Sequence, residues 1–411
     1  NGTSLAAVIS AFHVLPVPVE ANNNGGCKTS PTAIPPTAWL EQFVRKAPFE
    51  VCEVLIETAR VDMKAGRTHA VLVQADIQPN AIPGIYSGKL TCRTMAGTVS
   101  ADFAVRVHHT ALPSPLPLHA THWLFAQPRN LTNAEPPPWW SERHWELLEN
   151  SGRQLRRYGQ DTILTPLIDH QVPLIRTIRE RDGRYTFDFA RFDRWVTLFV
   201  GLGFERIAGH HIATLPESWL YGGVFVDDRE TGKHERLVTR GNSNPKWIAF
   251  IPLFYQALHR HLVERGWSQI YLQHQLDEPK DEELYRLLSE IACLYLPGVS
   301  TIDAINSKPE RFSPWVDTQV FSLGILAKEQ LLAKQRADGG RRSWLYHCCS
   351  PYPPYPNRHL DERLTDSRLY PWLAYLLNAD GYLYWGANVY RGADPYSTSI
   401  GPLPNGSQNP G

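Results

Sequence analysis

The stretch "WSQIYLQHQLDEPKDEELYRLLSEIACLY", residues 267–295, decides the fold. A strand-like apolar run, residues 269–276, stops at two adjacent carboxylates, Asp277 and Glu278. Pro279 follows, and then apolar residues at helical spacing take over. One strand, one polar loop and one helix make a single β/α unit. The same unit can be read along most of the chain. Strand-like runs stand at 121–126, 162–167, 204–211, 269–276, 299–305, 317–323, 343–349 and 381–388. Helical segments separate most of them. Trp145, Leu148, Leu155 and Tyr158 fall on one helical face, and Phe189, Phe192, Trp195, Val196 and Phe199 on another. Eight strands alternating with helices predict a (β/α)8 TIM-type barrel over residues 116–411, with a short fifth helix in "SKPERFSPWV".

Residues 1–115 read differently. "THAVLVQADI" and "VSADFAVRVHH" are β-rich, and "PGIYSGKLTCRT" supplies turn chemistry ahead of a strand. An N-terminal antiparallel β-sandwich is expected there, joined to the barrel through the proline-rich "ALPSPLPLHA". A polar insertion at 221–247, centred on "RETGKHER", predicts a hairpin after the third barrel strand, where loops build active sites.

A chain of 411 residues exceeds one ordinary core, which agrees with two domains. Lys plus Arg equals Asp plus Glu at 41 each, so charge gives no case for a nucleic acid or an anionic membrane as partner. No apolar run approaches the ~20 residues of a membrane span. The 13 Trp, 17 Tyr and 15 Phe could stack on sugar rings, although large cores account for them on composition alone. Six cysteines without a CxxC spacing make a zinc knuckle or redox motif a poor reading, and the compartment stays open, with a secreted or periplasmic one favoured.

Asp277 and Glu278 carry the chemistry. The C-terminal end of a barrel strand faces the catalytic mouth, and Pro279 disfavours helical backbone at Glu278, so the pleat is expected to break there. Carboxylates of ordinary retaining glycosidases flank the scissile bond ~5–5.5 Å apart, which neighbours in sequence do not easily do. Neighbours suit a different division of labour: one orients the amide of a 2-acetamido sugar whose own oxygen attacks, and the other protonates the leaving oxygen. The competing reading is an acidic pair capping the helix "KDEELYRLL". A metal site drawn from His210, His211, His274, His347, Cys348 and Cys349 is a poor reading, since strand neighbours diverge and no ligand spacing such as HExxH occurs. No metal or cofactor is expected.

The segment "HLVERGWSQIYLQHQLDEP" resembles the catalytic segment of glycoside hydrolase family 123, the β-N-acetylgalactosaminidases. "FDFARFDRWVTLFVGLG" and the run from "WLYHCCSPYPPYPNRHLDERL" to "GYLYWGANVY" are similar to its other barrel segments. "AIPGIYSGKLTCRTMAGTVSADFAVRVHHTALP" is similar to its N-terminal β-sandwich. The resemblance implies retaining, substrate-assisted hydrolysis without a metal, and the expected activity is that of an exo-acting enzyme on a terminal β-linked N-acetylgalactosamine. Asp277 would orient the amide and Glu278 would be the general acid/base. Substrate-binding candidates are Tyr346 and His347 for the acetamido carbonyl, Trp385 for the floor under the sugar, and Asn388 for a hydroxyl. His210, His211 and Trp123 are candidates near the axial hydroxyl; each of these has core packing as its competing use. Alternatives to the activity are a dual GalNAc/GlcNAc hexosaminidase, an endo-acting or disaccharide-releasing glycosidase, and a non-catalytic glycan-binding protein.

Overall fold

The computed structural model describes residues 5–22, 41, 43–168, 172–213, 224–238, 244–325, 342–348, 351, 355–389, 394, 396–398, 400–402 and 408–410. The chain divides into two compact units: Asn1–Glu20 with Pro48–Pro117 and Pro395–Ser399, and Ala21–Ala47 with Leu118–Asp394 and Ile400–Gly411.

In the first unit, β1 (Ala7–Val19) is the central strand, antiparallel to both β2 (Phe49–Glu57) and β3 (Ala70–Ile77). Its register with β2 slips between Leu15 and Pro16, where proline lacks the N–H that the ladder needs. A second pair, β4 (Gly84–Thr94) and β5 (Gly97–Val107), forms a hairpin of its own. The antiparallel strands expected here are present. The shared sandwich core is not formed among the described residues: Phe12, Val17 and Val19 of β1 are buried, whereas Ile85, Leu90, Val99 and Phe103 of the hairpin stay exposed. Alternation in sequence identifies two-faced strands, but it does not say what covers either face.

The second unit holds eight parallel strands, one in each expected run. They are β6 (His119–His122), β7 (Thr162–Thr165), β10 (Arg206–Gly209), β13 (Tyr271–Gln273), β14 (Ser300–Ile305), β15 (Thr318–Ser322), β16 (Arg342–His347) and β17 (Gly381–Tyr384). Each ladder is parallel from β7 round to β17, and β17 returns to β6. At the remaining seam side chains replace a ladder. Asp161 Oδ1 accepts the Ala120 N–H at 3.0 Å, and Gln160 Oε1 accepts the His122 N–H at 2.7 Å. The result is a nearly closed TIM-type barrel.

Trp123, Leu164, Ala208, Leu272, Ile302, Ala304, Val320, Trp344, Tyr346 and Leu383 fill its interior. Gly381 is required there, since a Cβ would lie 2.3 Å from the Trp344 ring. Helices α1 (Glu142–Arg157), α2 (Ala190–Gly201), α3 (Pro245–Arg265) and α4 (Glu282–Tyr295) cover the outside with Leu148, Trp195, Phe199, Phe254 and Leu288. The fifth crossover is as short as expected, α5 (Pro309–Phe312) and one 3-10 turn. After β16 come α6 (Leu364–Ser367) and α7 (Tyr370–Leu376). No described helix is long and apolar enough to cross a membrane.

The hairpin predicted in 221–247 is present as β11 (Val224–Asp228) and β12 (His234–Val238). Asp228 Oδ1 organises its turn by accepting the N–H groups of Glu230 and Thr231. Sequence reading missed its partner, β8 (Arg176–Arg179) and β9 (Tyr185–Asp188), turned at Asp182–Gly183. Together they make a four-stranded sheet, β12-β11-β8-β9, on the loops that leave β7 and β10.

Candidate active site

Strand β13 ends at Gln273 rather than Leu276, and the chain beyond it is held by both neighbours without being a regular strand. His274 N–H donates to Gly209 O at 3.1 Å, Ala213 N–H to Gln275 O at 3.0 Å, and Glu278 N–H to Ala304 O at 3.1 Å. Pro279 excludes the right-handed helical region at the residue before it. Glu278 takes the left-handed region instead, with φ of 46°, an uncommon and costly conformation for a residue with a side chain. The pleat therefore breaks at the carboxylate pair. The capping role goes elsewhere: Asp281 is the N-cap of α4 and accepts the Leu284 N–H at 3.1 Å.

The two carboxylates sit in different surroundings. Glu278 is half-buried and receives two hydrogen bonds, Tyr346 O–H on Oε1 and Asn306 N–H on Oε2. Asn306 is held in turn by the Lys280 ammonium, which also reaches Ser307 Oγ at 3.3 Å. Burial pushes the Tyr346 hydroxyl well up, and the Glu278 charge adds to it, so it stays a donor. Among the described residues, Asp277 receives no comparable donors. Surrounding protein first, and then the Glu278 and Asp303 charges, push its carboxyl up to about 8. Its side chain is 53% exposed, so water screens the two neighbouring charges.

Behind Asp277 lies a buried group. His211 Nε2 stands 4.0 Å from Asp277 Oδ1 and 3.8 Å from Asp303 Oδ1. Asp303 has no exposed surface. It accepts the Gln275 N–H on both oxygens at 3.0 and 3.1 Å and the Tyr285 O–H at 2.7 Å, and His274 Nδ1 lies 3.4 Å away. The Trp123 ring meets His211 and His274 edge-on at 5.3 and 5.7 Å.

The broken end of this barrel strand thus brings paired carboxylates, a tyrosine and an imidazole together. The sequence model for the catalytic domain of glycoside hydrolase 123 matches residues 125–406. The chain belongs to glycoside hydrolase family 123. It is therefore an enzyme that hydrolyses glycosides, with a glycan as substrate. A family 123 glycoside hydrolase from Clostridium perfringens, described for glycolipid glycan hydrolysis, superposes with a TM-score of 0.68 at 17% identity, covering 98% of this chain and 69% of that one. At that identity the likeness speaks for the fold. A β-D-glucuronidase from Dictyoglomus thermophilum is far more distant, with a TM-score of 0.38 at 9% identity, covering 77% of this chain and 54% of that one. No curated protein matches the chain.

In this family 123 hydrolase the other candidate residues separate into two groups. Trp123, His210 and His211 lie together: the two imidazoles meet edge-on at 5.1 Å, and both are buried. Trp385, just past β17, is half-buried against the interior cluster that contains Tyr346. His347 goes the other way. Neighbours on a strand face opposite sides, so with Tyr346 inside the barrel His347 enters the helix shell. There it stacks on Tyr370 of α7 at 4.0 Å and meets the Tyr382 hydroxyl at 3.0 Å. Burial, reinforced by Arg358, pushes its pKa well down, which keeps it neutral. Asn388 has its amide occupied as well. It accepts the Phe125 N–H at 2.8 Å and donates to Phe125 O at 2.9 Å and Asn130 O at 3.2 Å, clasping the loops after β17 and β6. Neither residue joins the carboxylates.

Among the described residues, His211 and His274 of the sequence-derived metal candidates form a trio with Asp303 whose ligand atoms lie within 4.8 Å of one another. Cys349 lies outside the described residues. Asp303, Asn306 and Lys280 were missed by sequence reading. A lone aspartate inside the apolar run "STIDAI" was the available signal for Asp303, and Asn306 stands immediately past that strand.

Proposed function

We propose that this glycoside hydrolase is an exo-acting, retaining β-N-acetylgalactosaminidase that works by substrate assistance. The observation that carries the reading is the adjacency of Asp277 and Glu278 at a broken strand end. Side chains of neighbours are poorly placed to flank one bond with a nucleophile and an acid. They are well placed to address one 2-acetamido sugar. The acetamido oxygen attacks C1 while Asp277 receives the amide N–H and stabilises the positive charge of the forming oxazolinium. Glu278 gives its proton to the leaving oxygen, then takes one from the water that opens the ring, so configuration is retained. Burial and then the Glu278 and Asp303 charges raise the Asp277 carboxyl, and an incoming amide N–H favours its charged form. Tyr346, which donates to Glu278, is the tyrosine assigned to the acetamido carbonyl. The four-stranded sheet β12-β11-β8-β9 belongs to the loops after β7 and β10, the kind of loop that shapes the pocket of a barrel enzyme.

Paired nitrophenyl β-GalNAc and β-GlcNAc substrates, with the product anomer followed by NMR, test the reading. Preference for GalNAc, the β-anomer formed first, and strong inhibition by a GalNAc-thiazoline are expected. Equal hydrolysis of a β-galactoside lacking the acetamido group would sink it. A glycolipid glycan, the substrate named for the C. perfringens enzyme, is the natural substrate class to try first.

A further inference from the structure

We propose that Asp303 is a positioning residue that holds the His211 imidazole against Asp277, forming a buried relay behind the amide-orienting carboxylate. The proposal rests on the reading of Asp277 given above. Its ground is the placement of one nitrogen between two carboxylates: His211 Nε2 is 4.0 Å from Asp277 and 3.8 Å from Asp303. His211 is 4% exposed and Asp303 0%. A carboxylate so buried is costly without cationic or donor partners, and it is anchored from three elements. Gln275 holds it from the extension of β13, Tyr285 from α4, and the imidazoles His211 and His274 face it from the mouth.

A proton on His211 Nε2 lies between the two acids. Asp303, which cannot move, fixes that proton's direction. Asp277, with its half-exposed side chain, can swing about 1 Å toward it, as catalytic hydrogen bonds commonly tighten only when substrate binds. The charged groups around Asp277 are then Glu278 and Lys280 on its own segment, His211 after β10, Asp303 on β14 and Tyr346 on β16. The same trio of His211, His274 and Asp303 has the donor set of a cation site. Asp303 already receives N–H and O–H donors on its oxygens, which favours the relay.

The sign of a pH shift separates the relay from simple proximity. On the reading above, Asp277 must be ionised, so it sets the acidic limb of kcat/KM. If Asp303 acts only through space, Asp303→Asn removes a negative charge and moves that limb to lower pH. In the relay, Asp303→Asn frees the His211 proton, and His211→Gln removes it. Both variants should then move the limb upward by about one pH unit, lower kcat at least tenfold and change KM about twofold or less. The double variant should lose no more than the worse single one. A downward or absent shift in folded Asp303→Asn overturns the relay, and so does a stoichiometric bound metal whose removal abolishes activity. Should Asp303→Asn fail to fold, His211→Gln alone decides by the same limb. If wild type turns over no nitrophenyl β-GalNAc, the function reading falls. The relay is then judged by carbon-13 titration of the Asp277 carboxyl in wild type and both variants, with the same sign required.

Discussion

Replacing Asp277 by asparagine should make the protein more stable while removing its activity, and the gain should depend on pH. Folding pushes this carboxyl up from an ordinary 3.8 to about 8. The folded chain therefore binds the proton more tightly than the unfolded chain, and stability is complete below pH 4 and lost as pH rises toward 8. At ~1.4 kcal/mol for each tenfold in proton affinity, a carboxyl sealed from water would lose roughly 6 kcal/mol across that window. Asp277 is not sealed. Its side chain is 53% exposed, so solvent screens the repulsion from Glu278 and Asp303. A discounted penalty of about 1–2 kcal/mol at pH 8 is the reasonable expectation. Asparagine does not titrate and has nearly the same shape. Asp277→Asn should therefore match wild type at pH 4 and melt about 2–4 °C higher at pH 8. Added salt should narrow the difference. Thermal melts of both proteins from pH 4 to 8, at low and high salt, measure it directly. A difference that is constant with pH, or a variant less stable at pH 8, would refute the claim that Asp277 is held in an unfavourable charged state.

Glu278→Gln should lower kcat about 10²–10⁴-fold on a glycan with a poor leaving group, and far less on a nitrophenyl glycoside that needs no proton. Equal losses on both substrates would remove Glu278 from the proton-donor role. The fold should tolerate the change, since glutamine can still accept from Asn306 and donate to the Tyr346 oxygen. Asn388→Ala should cost about 2–4 kcal/mol of stability by leaving the backbone groups of Phe125 unpaired, with KM unchanged; a raised KM with unaltered melting would instead place Asn388 on the sugar.

The barrel was legible because its strands are buried on both faces and read as short apolar runs between helical ones. Runs such as "TILTPL" and "VSTIDAI" each hold one strand of the observed sheet. The N-terminal strands were legible as strands, but not as layers. Val99 and Phe103 look like core residues in sequence and are exposed in the hairpin, because pairing partners and covering partners are separate questions. The hairpin 176–188 went unread since "RTIRERDGRYTFD" is too polar to stand out beside barrel strands.

The site divides along the same physical line. What depends on one strand could be reached from sequence: Pro279 breaking the pleat, and Asp277 with Glu278 at its end. Parity could have been used further. Trp344 and Tyr346 share a face, so His347 had to leave the mouth once Trp344 was assigned to the interior. What depends on two distant segments could not be reached. Asn388 is taken up by Phe125, which lies 263 residues away, and no local pattern announces that clasp. Asp303 belongs to the same class. An aspartate in an apolar strand must find donors or go neutral, but only the fold shows that they come from Gln275, Tyr285 and two histidines beside Asp277. A polar residue inside an apolar barrel strand therefore marks where to look for what stands behind a catalytic group, and the closure of the barrel decides what it touches.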